Sequence, residues 1–500
     1  MKAKRAKHLL IAAILSITLS LASPCAHADD DSQTTNFKTT SELYSELIEG
    51  AQTNEAMLTL FLNQMPKGGD LHHHYSGTIY AETYLDWVKE KKWFIDPDTL
   101  QIIKQAADKQ LTNKTLLTVD QLRADNILYR KLLTLWSDKD FWNHNHLQFP
   151  PDKNFFSTFS YFSPIMDEYT DLGLQIIKTR AIAENVSYVE TMLTEMGVYQ
   201  QYLDQKKHLA YNQSLRKAKS QSEVNAILGQ LKKQLLAAEG FTQAIDQYLS
   251  NLEKYHREID DGQFTMRYQS YALRVIDPLP VFKDLLAGFI AAKQSELVVG
   301  VNILGPENNQ IALSDYTLHM QMFSFLSAEY PNVKKSIHAG ELTLGMVRPK
   351  NLKFHIQSAR EIAGAHRIGH GIDLMYENDA PALLKNLKKN AAIEINLSSN
   401  QFILGVKDQR HPYLIYSKYK VPMVISSDDS GVSRNNLSNE YLLLASRYRP
   451  SYSQIKIYVY NSIEYSFLAD KNKVLLKAQL DTRFTDFEKK MTKLQQLKKP

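Results

Sequence analysis

Residues 391–429, AAIEINLSSNQFILGVKDQRHPYLIYSKYKVPMVISSDD, contain two short apolar segments on either side of a longer mixed one. The apolar segments, 391–397 and 421–427, carry β-branched residues and have the length of buried strands. The stretch between them, 407–419, is long enough for a helix and predicts one. This strand–helix–strand order is the repeating unit of folds built on a parallel sheet.

The same alternation extends through most of the chain. Six further segments have strand character: 69–75, 187–192, 264–273, 297–304, 335–338 and 367–372. Helix-length stretches separate most of them: 310–329, 347–365 and 378–389. Eight strands that alternate with helices favour a (β/α)8 TIM barrel over an open doubly wound sheet.

Two intervals between strands are too long for a simple strand–helix unit. They predict helical insertions at about 78–160 and 195–261. In the second insertion Leu228, Leu231 and Leu235 recur at helical spacing, which predicts a helical hairpin that projects from the barrel. Its role as a packing appendage, a lid or a homodimer contact stays open.

The composition is that of an ordinary folded protein. The chain has 500 residues, of which 44% are hydrophobic and 23% charged, with only 19 Gly and 16 Pro. These values exclude a collagen-like or mostly disordered chain.

The first 28 residues have a basic start, an apolar run and the sequence Ala26-His27-Ala28, which together predict a cleaved signal peptide. We therefore expect a signal peptide (1–28), a helical N-terminal extension (29–65) and a barrel (66–500) that is secreted or periplasmic.

Cleavage after Ala28 changes what charge and cysteine content imply. The whole chain has a formal charge of +5, and segment 1–28 carries four basic residues and no acidic one, which leaves +1. Such a surface has no bulk attraction for nucleic acid or anionic lipid, and no later stretch is long and apolar enough to cross a bilayer. Cys25, the only cysteine, also lies in this segment, so the mature chain has no disulfide and no thiolate ligand. Any metal has to be held by His, Asp or Glu.

Ionisable residues lie at the ends of several of the predicted strands. They are His72-His73-His74 at the end of the first, His338 at the end of the fifth, His370 at the end of the sixth and Asp428-Asp429 at the end of the eighth. In a TIM barrel the carboxyl ends of the strands meet at one mouth, where barrel enzymes have their sites. Side chains two apart on a strand point to the same side, so His72 and His74 can bind one ion while His73 faces away. Three imidazoles and one carboxylate suit Zn²⁺ or a similar divalent ion.

These residues lie in motifs that resemble those of the adenosine deaminase family. The matching segments are Pro66–Gly77 (PKGGDLHHHYSG), His338–Glu341 (HAGE), Arg367–Gly371 (RIGHG), Glu394–Asn400 (EINLSSN) and Ser427–Asp429 (SDD). They occur in the order that the family has, between residues 66 and 430. With the signal peptide and the helical extension, the chain is most similar to the secreted branch, the adenosine-deaminase-related growth factors.

The resemblance implies a metal centre and two catalytic residues. One zinc ion per chain would be held by His72, His74, His338 and Asp428. The ion would lower the pKa of a water molecule towards 7. Glu341 would protonate N1 of the purine and later carry the proton to the leaving ammonia. His370 would orient the activated water.

The resemblance also implies a purine nucleoside as substrate. Asp429 would contact N7 of the purine, Gly305 would contact N3, and Ser76 and His74 would lie against the substrate. The implied reaction of purine metabolism converts adenosine or 2′-deoxyadenosine into inosine or deoxyinosine and ammonia. Ser76 stands where the family has an acidic residue that helps bind the ribose 5′-hydroxyl, which leaves the preferred nucleoside open.

Two alternatives stay open from the sequence. One is a related amidohydrolase that acts on adenine, a nucleotide or a modified purine. The other is a secreted binding or signalling protein that keeps the metal without turnover. The presence of Glu341 and His370 argues against the second, because a protein that only binds needs neither.

Overall fold

The computed structural model describes residues 25–104, 116–144, 149–194 and 201–497. Its centre is a sheet of eight parallel strands. In chain order, β1 to β8 are Gly68–His74, Val186–Met192, Thr265–Leu273, Val298–Leu304, Lys334–Ala339, Arg367–His370, Ala392–Ile395 and Met423–Ile425. Each strand pairs in parallel with the next one along the chain.

The sheet closes between its last and first strands. Just beyond β8, Asp428 forms a parallel bridge to His73 of β1. The backbone N–H of Asp428 donates to the carbonyl oxygen of His72 at 2.9 Å, and the N–H of His74 donates to the carbonyl oxygen of Asp428 at 3.4 Å. The predicted (β/α)8 TIM barrel is thereby confirmed.

Helices cover the outside of the barrel and its ends. Before β2 they are Cys25–Ile48, Glu55–Gln64, Tyr75–Thr78, Ala81–Glu90, Val119–Ala124, Asn126–Leu135, Phe141–His144, Pro151–Phe162 and Thr170–Ala183. After β2 they are Gln205–Lys217, Gln221–Ala237, Phe241–His256, Pro278–Gln294, Gln310–Glu329, His355–Glu361, Ala380–Asn390, Leu397–Leu404, Tyr413–Tyr419, Leu437–Tyr448, Tyr452–Glu464 and Asp470–Gln496. Short 3₁₀ segments occur at Pro349–Leu352, Ile372–Tyr376 and Asp408–Arg410, and a small antiparallel pair is formed by Phe94–Ile95 and Ile102–Ile103.

Local signals set the ends of several helices. Gln310–Glu329 has the predicted bounds, and it begins where the side chain of Asn309 accepts the N–H of Ile311 at 2.9 Å. Pro278 begins the helix Pro278–Gln294, where its fixed φ and missing N–H are tolerated. This helix is buried on nearly all sides because it lies between β3 and β4 on one side and further helices on the other.

The insertion after β2 differs from its prediction. Its described part forms three helices, Gln205–Lys217, Gln221–Ala237 and Phe241–His256, instead of a hairpin of two. Gly240 has φ +86° and turns the chain between the second and third. Leu228, Leu231 and Leu235 are buried, as their spacing predicts, and the helices pack against Pro278–Gln294 and Gln310–Glu329. The prediction of a projecting hairpin is therefore wrong, because the apolar faces are covered by the barrel's outer helices.

Two helices precede the barrel. Cys25–Ile48 lies along Asp470–Gln496, and Glu55–Gln64 packs on Leu437–Tyr448. Of the predicted signal peptide, residues 1–24 lie outside the described part of the chain. Within the described part, no helix has both the length and the apolar character that a membrane span requires.

Candidate active site

β1 and the end of β8 bring three of the predicted metal ligands together. Asp428 Oδ1 lies 3.4 Å from Nε2 of His72 and 3.3 Å from Nε2 of His74. His73, between the two histidines, turns the other way, and its Nδ1 lies 2.9 Å from Oγ1 of Thr191. The alternation of side chains along a strand therefore separates His73 from the cluster.

His338, from β5, completes the predicted set of four. Its Nε2 lies 3.3 Å from Nε2 of His74, and its ring centre is 4.4 Å from that of His72. Nε2 of His72 is buried and has no hydrogen bond to a described group. Buried polar atoms of this kind are normally satisfied, and three imidazole nitrogens beside one carboxylate form a ligand set typical of zinc. The residues present thus fit a divalent metal ion.

Further side chains hold the imidazoles in orientation. Nδ1 of His72 lies 2.7 Å from Oε2 of Glu394, and Nδ1 of His338 lies 3.0 Å from Oδ1 of Asn302. Both partners accept a hydrogen bond from Nδ1–H, so the lone pair of each histidine is on Nε2, which faces the shared centre. Partners of this type fix ligand orientation and raise metal affinity.

Glu394 is itself held in a charged network inside the barrel. Its Oε1 accepts hydrogen bonds from Arg367 Nε at 2.6 Å and from Ser336 Oγ at 2.9 Å, and Arg367 also donates to Glu190 at 2.6 Å. Burial alone would raise the pKa of Glu394, but Arg367 and His72 outweigh it and lower that pKa to about 2. Glu394 is therefore ionised and available to His72 over the whole physiological range.

Glu341 lines the same cavity as three of the four predicted ligands, His74, His338 and Asp428. Burial, followed by the nearby carboxylate of Asp428, raises the pKa of Glu341 to about 8. A carboxyl group in this state is protonated near neutral pH and can act as a general acid.

Glu307 supports the backbone of the loop that carries Glu341. It accepts the N–H of Glu341 at 2.8 Å and of Gly340 at 3.2 Å, and it lies 2.6 Å from Nδ1 of His355. Burial would raise its pKa, but the positive charge of Arg274, with the hydrogen bonds, lowers the pKa of Glu307 to about 2. The N–H groups are thus held by a buried carboxylate.

His370 and Asp428 both have a left-handed backbone, with φ +66° and +59°. This conformation costs a non-glycine residue about 1–3 kcal/mol and often marks functional sites. It places Nε2 of His370 3.6 Å from Oε1 of Glu341 and 3.9 Å from Oδ2 of Asp428. The predicted catalytic pair therefore shares one location with the predicted ligands.

Asp429 has a different environment from its neighbour Asp428. The imidazoles around Asp428, His72 first among them, overcome burial and hold its pKa below the usual range. Burial, then the charge of Asp428, raises the pKa of Asp429 well above its usual range. A side chain on Gly77 would meet Asp429, because an added Cβ would lie 1.6 Å from Oδ1. The glycine thus leaves the space that the Asp429 side chain occupies.

These groups line one end of a cavity of about 370 Å³. Its other walls are neutral, and they include Ser76, Phe155, Phe156, Phe159, Met166, Tyr271 and Gly305. No lysine or arginine is among the described residues that line it. Gly305 has φ +103°, and an added Cβ would meet only ordinary contacts, so its backbone conformation, rather than crowding, favours glycine.

The structure thus brings every predicted site residue to one cavity, except that His72 lies immediately behind the lining. The sequence predictions gave no role to Arg274, Glu307, His355 or His411. Arg274 donates to the carbonyl oxygens of Gly305 and His338 at 2.6 and 3.0 Å. Only Glu307 had a local signal, since it follows Gly305 by two residues. The others act through contacts between distant segments.

A closed barrel with ionisable side chains gathered at the carboxyl ends of its strands is the architecture of a barrel enzyme. A family model described as adenosine deaminase matches residues 183–483. The chain therefore belongs to the adenosine deaminase family, which is metal-dependent.

Curated relatives agree with this assignment. The chain is 32% identical over 146 residues to an adenosine deaminase of Clostridium perfringens, and the match covers 29% of this chain and 41% of the relative. It is 29% identical over 206 residues to an adenosine deaminase of Clostridium acetobutylicum, covering 41% of this chain and 56% of the relative. These matches therefore span only about half of each relative's length.

Solved structures share the fold. The N6-methyl-AMP deaminase of Arabidopsis thaliana superposes with a TM-score of 0.54 at 16% identity and covers 85% of this chain and 98% of its own. An amidohydrolase of Burkholderia ambifaria with bound Zn gives a TM-score of 0.51 at 15% identity, covering 87% and 94%. At these identities the likeness concerns the fold alone.

Proposed function

We propose that the protein is a zinc-dependent deaminase that converts adenosine and 2′-deoxyadenosine into inosine or deoxyinosine and ammonia. The observation that carries this proposal is the convergence of four ligand-type side chains at the wall of a cavity that Glu341 also lines. The curated relatives that match part of the chain are adenosine deaminases, which supports the same substrate.

One zinc ion would be held by His72, His74, His338 and Asp428. When bound, it supplies Lewis acidity that lowers the pKa of a water molecule from 15.7 to about 7. These four side chains are suitable ligands for zinc, because catalytic zinc sites are commonly formed by imidazole and carboxylate groups without a thiolate. The amidohydrolase of Burkholderia ambifaria, with the same fold, contains bound Zn.

The side chains around this centre would perform the proton transfers. Glu341, protonated because of its raised pKa, donates its proton to N1 as hydroxide, formed when the water loses one proton to solvent, adds to C6 of the purine. The same carboxylate then takes the proton of the added oxygen and delivers it to the amino group, which leaves as ammonia. A proton from solvent, which balances the one that the water lost, restores the acid form of Glu341. Asp429, whose raised pKa keeps a proton on the carboxyl group, donates a hydrogen bond to N7. The N–H of Gly305 donates to N3.

The neutral part of the cavity favours a nucleoside over a nucleotide. A phosphate monoester carries a charge of about −1.5 to −2 at pH 7. The described lining away from the ionisable end offers aromatic, methionine and serine side chains. An unpaired anion loses its hydration there without gaining a cation. The N6-methyl-AMP deaminase shares the fold, but its substrate carries no weight for this chain at 16% identity.

We also propose that the protein acts outside the cytoplasm, in the periplasm or as a secreted enzyme like the growth-factor branch of the family. The support is the sequence of residues 1–28, with its basic start, apolar run and Ala26-His27-Ala28. Sequencing the N-terminus of the protein recovered from culture medium or periplasm tests this. A mature chain that begins at Asp29 is expected.

The catalytic proposal is tested by substrate choice. The zinc-loaded mature protein is mixed with adenosine, 2′-deoxyadenosine, adenine and AMP, and the ultraviolet change on deamination is followed. We expect kcat/KM for adenosine to exceed that for AMP and for adenine by at least about a hundredfold, because the lost or unpaired polar contacts cost roughly 3 kcal/mol. Turnover of adenine or AMP alone would favour the related-amidohydrolase alternative. A metal-loaded protein that converts none of them would favour a binding role.

A further inference from the structure

A chain of buried hydrogen bonds lies behind His370. Nδ1 of His370 is 2.9 Å from Nδ2 of Asn400, and Oδ1 of Asn400 is 3.1 Å from Nε2 of His411. Nδ1 of His411 accepts the backbone N–H of Tyr413 at 3.1 Å. His370, Asn400 and His411 are each at most 2% exposed. We call these four groups, from Tyr413 N–H to His370, the relay.

The direction of every hydrogen bond in the relay follows from its backbone end. A backbone N–H can only donate, so Nδ1 of His411 is an acceptor. Burial, then the charges of Arg447 and His370, lowers the pKa of His411 to about 3, so its imidazole is neutral. A neutral imidazole with an acceptor at Nδ1 carries its hydrogen on Nε2. His411 therefore donates to Oδ1 of Asn400.

The orientation of the Asn400 carboxamide determines the direction of its hydrogen bond with His370. Because Oδ1 is taken by His411, the NH₂ group faces His370 and donates to its Nδ1. Asn396 also places its Nδ2 towards this nitrogen, at 3.4 Å, while its Oδ1 has no hydrogen bond to a described group. Only Asn400 has its orientation fixed by a partner, so it decides the tautomer. His370 then carries its hydrogen on Nε2, the nitrogen that faces Glu341 and Asp428.

In this tautomer, Nε2 of His370 cannot bind the metal. On distance alone His72, His338 and His370 form a group that could hold an ion, because their nitrogens lie within 4.8 Å of one another. A metal needs the lone pair of a nitrogen, and an Nε2 that carries hydrogen offers none. What it offers to the cavity is a hydrogen-bond donor.

We propose that His411 is a positioning residue that acts through Asn400 to keep the hydrogen of His370 on Nε2, so that His370 donates a hydrogen bond to the attacking water instead of binding the metal. The inference rests on the proposed function for the identity of that water. The direction of the relay itself depends only on the hydrogen bonds of this chain.

A matched pair of variants tests the relay. His411→Gln keeps a donor near the position of Nε2, whereas His411→Glu places an acceptor there, close to Arg447. The acceptor turns the Asn400 amide round, which presents Oδ1 to His370 and moves the hydrogen of His370 to Nδ1. With zinc-loaded protein and adenosine, we expect kcat to fall about a hundredfold or more in His411→Glu, with KM within about threefold of the original value. His411→Gln should stay within about tenfold.

Asn400→Asp provides a second variant of unchanged shape. Both of its oxygens accept, so His370 has to donate through Nδ1, and the same loss of kcat is expected. Nitrogen NMR of protein labelled at histidine reports the tautomer directly. Nε2–H of His370 is expected in the original protein and in His411→Gln, and Nδ1–H in the other two variants.

The outcomes separate the inference from the proposed function. Nδ1–H at His370 in the original protein would overturn the relay, as would equal losses of kcat in His411→Gln and His411→Glu. Retention of kcat within threefold in both His411→Glu and Asn400→Asp would overturn it too. If the spectra show the expected tautomers while no purine is deaminated, the relay stands and the proposed function fails.

Discussion

The backbone N–H of Asp428 donates a hydrogen bond to the carbonyl oxygen of His72, with a distance of 2.9 Å between nitrogen and oxygen. This contact belongs to the closure of the barrel between β8 and β1, and the side chains of the same two residues are proposed ligands. Closure of the barrel and formation of the proposed metal site thus depend on the same residues.

Removal of the metal is therefore expected to destabilise the fold. At zinc concentrations of a thousand times Kd, binding stabilises the native state by about 4 kcal/mol, and a chelator should remove that amount. Thermal unfolding before and after chelation measures the change. Zinc added back should restore the transition, whereas magnesium, which prefers oxygen ligands, should not. An unchanged transition after verified loss of metal would contradict the prediction.

His72→Ala and His73→Asn form a matched pair on β1. The first removes a proposed ligand, and we expect the affinity for zinc to fall by more than about a hundredfold, since even the partners of ligands change it 10–100-fold. The second changes a side chain that faces Thr191 and should leave the affinity within about threefold. Competition with a chromophoric chelator gives both values. Equal losses would show that the alternation along β1 does not select the ligands.

Glu341→Gln is expected to lower kcat for adenosine by about 10²–10⁴-fold, because an amide cannot donate and recover the proton that the reaction needs. Zinc content should stay the same, since Glu341 is not among the proposed ligands. Steady-state kinetics combined with metal analysis checks both statements. A kcat within tenfold of the original would remove Glu341 from the mechanism.

Gly77→Ala is expected to displace the side chain of Asp429, because the added methyl group would lie 1.6 Å from Oδ1. A displacement of about 1 Å in a catalytic constellation can lower the rate by about a hundredfold, so kcat/KM for adenosine should fall by tenfold or more while zinc is retained. Gly345→Ala is the control, since an added methyl group there has no described atom within 4 Å. Unchanged kinetics in Gly77→Ala would show that the position of Asp429 does not matter.

The lowered pKa of Glu307 predicts that the free energy of unfolding depends on pH in the acid range. Its pKa is lowered to about 2 in the fold, from 4.5, so the ionised carboxylate stabilises the protein above about pH 4.5. That stabilisation is lost as the pH falls towards 2, and by linkage it amounts to about 3 kcal/mol. In Glu307→Gln the free energy of unfolding should be lower at pH 6, and the difference from the original protein should shrink between pH 4.5 and 2. Denaturant unfolding at several pH values measures it, and a constant difference would contradict the linkage.

Much of the architecture could be predicted from local sequence. Each of the eight strands lies within or close to its predicted segment, and all except β1 contain the β-branched residues typical of buried parallel strands. The sequence predicts that the ionisable residues at the ends of these strands meet, because parallel strands end at a common mouth. The metal itself, the substrate and the export of the protein stay predictions.

The insertion at 195–261 shows where local pattern is insufficient. Helical spacing predicted its buried leucines, but the number of helices depends on turns such as the one at Gly240. Whether an apolar face projects or packs depends on which outer helix lies opposite. The helical spacing of apolar residues does not show which helix covers them.

The sequence alone determined which residue types stand at the ends of the strands, because strand length and side-chain alternation are local properties of the chain. Only the tertiary structure decided their chemical states. The raised pKa of Glu341, the ionised Glu394 and the tautomer of His370 each depend on burial and on partners from other strands, helices and loops. The direction of a hydrogen bond is set by the group at its far end, and that group comes into contact only when the chain has folded.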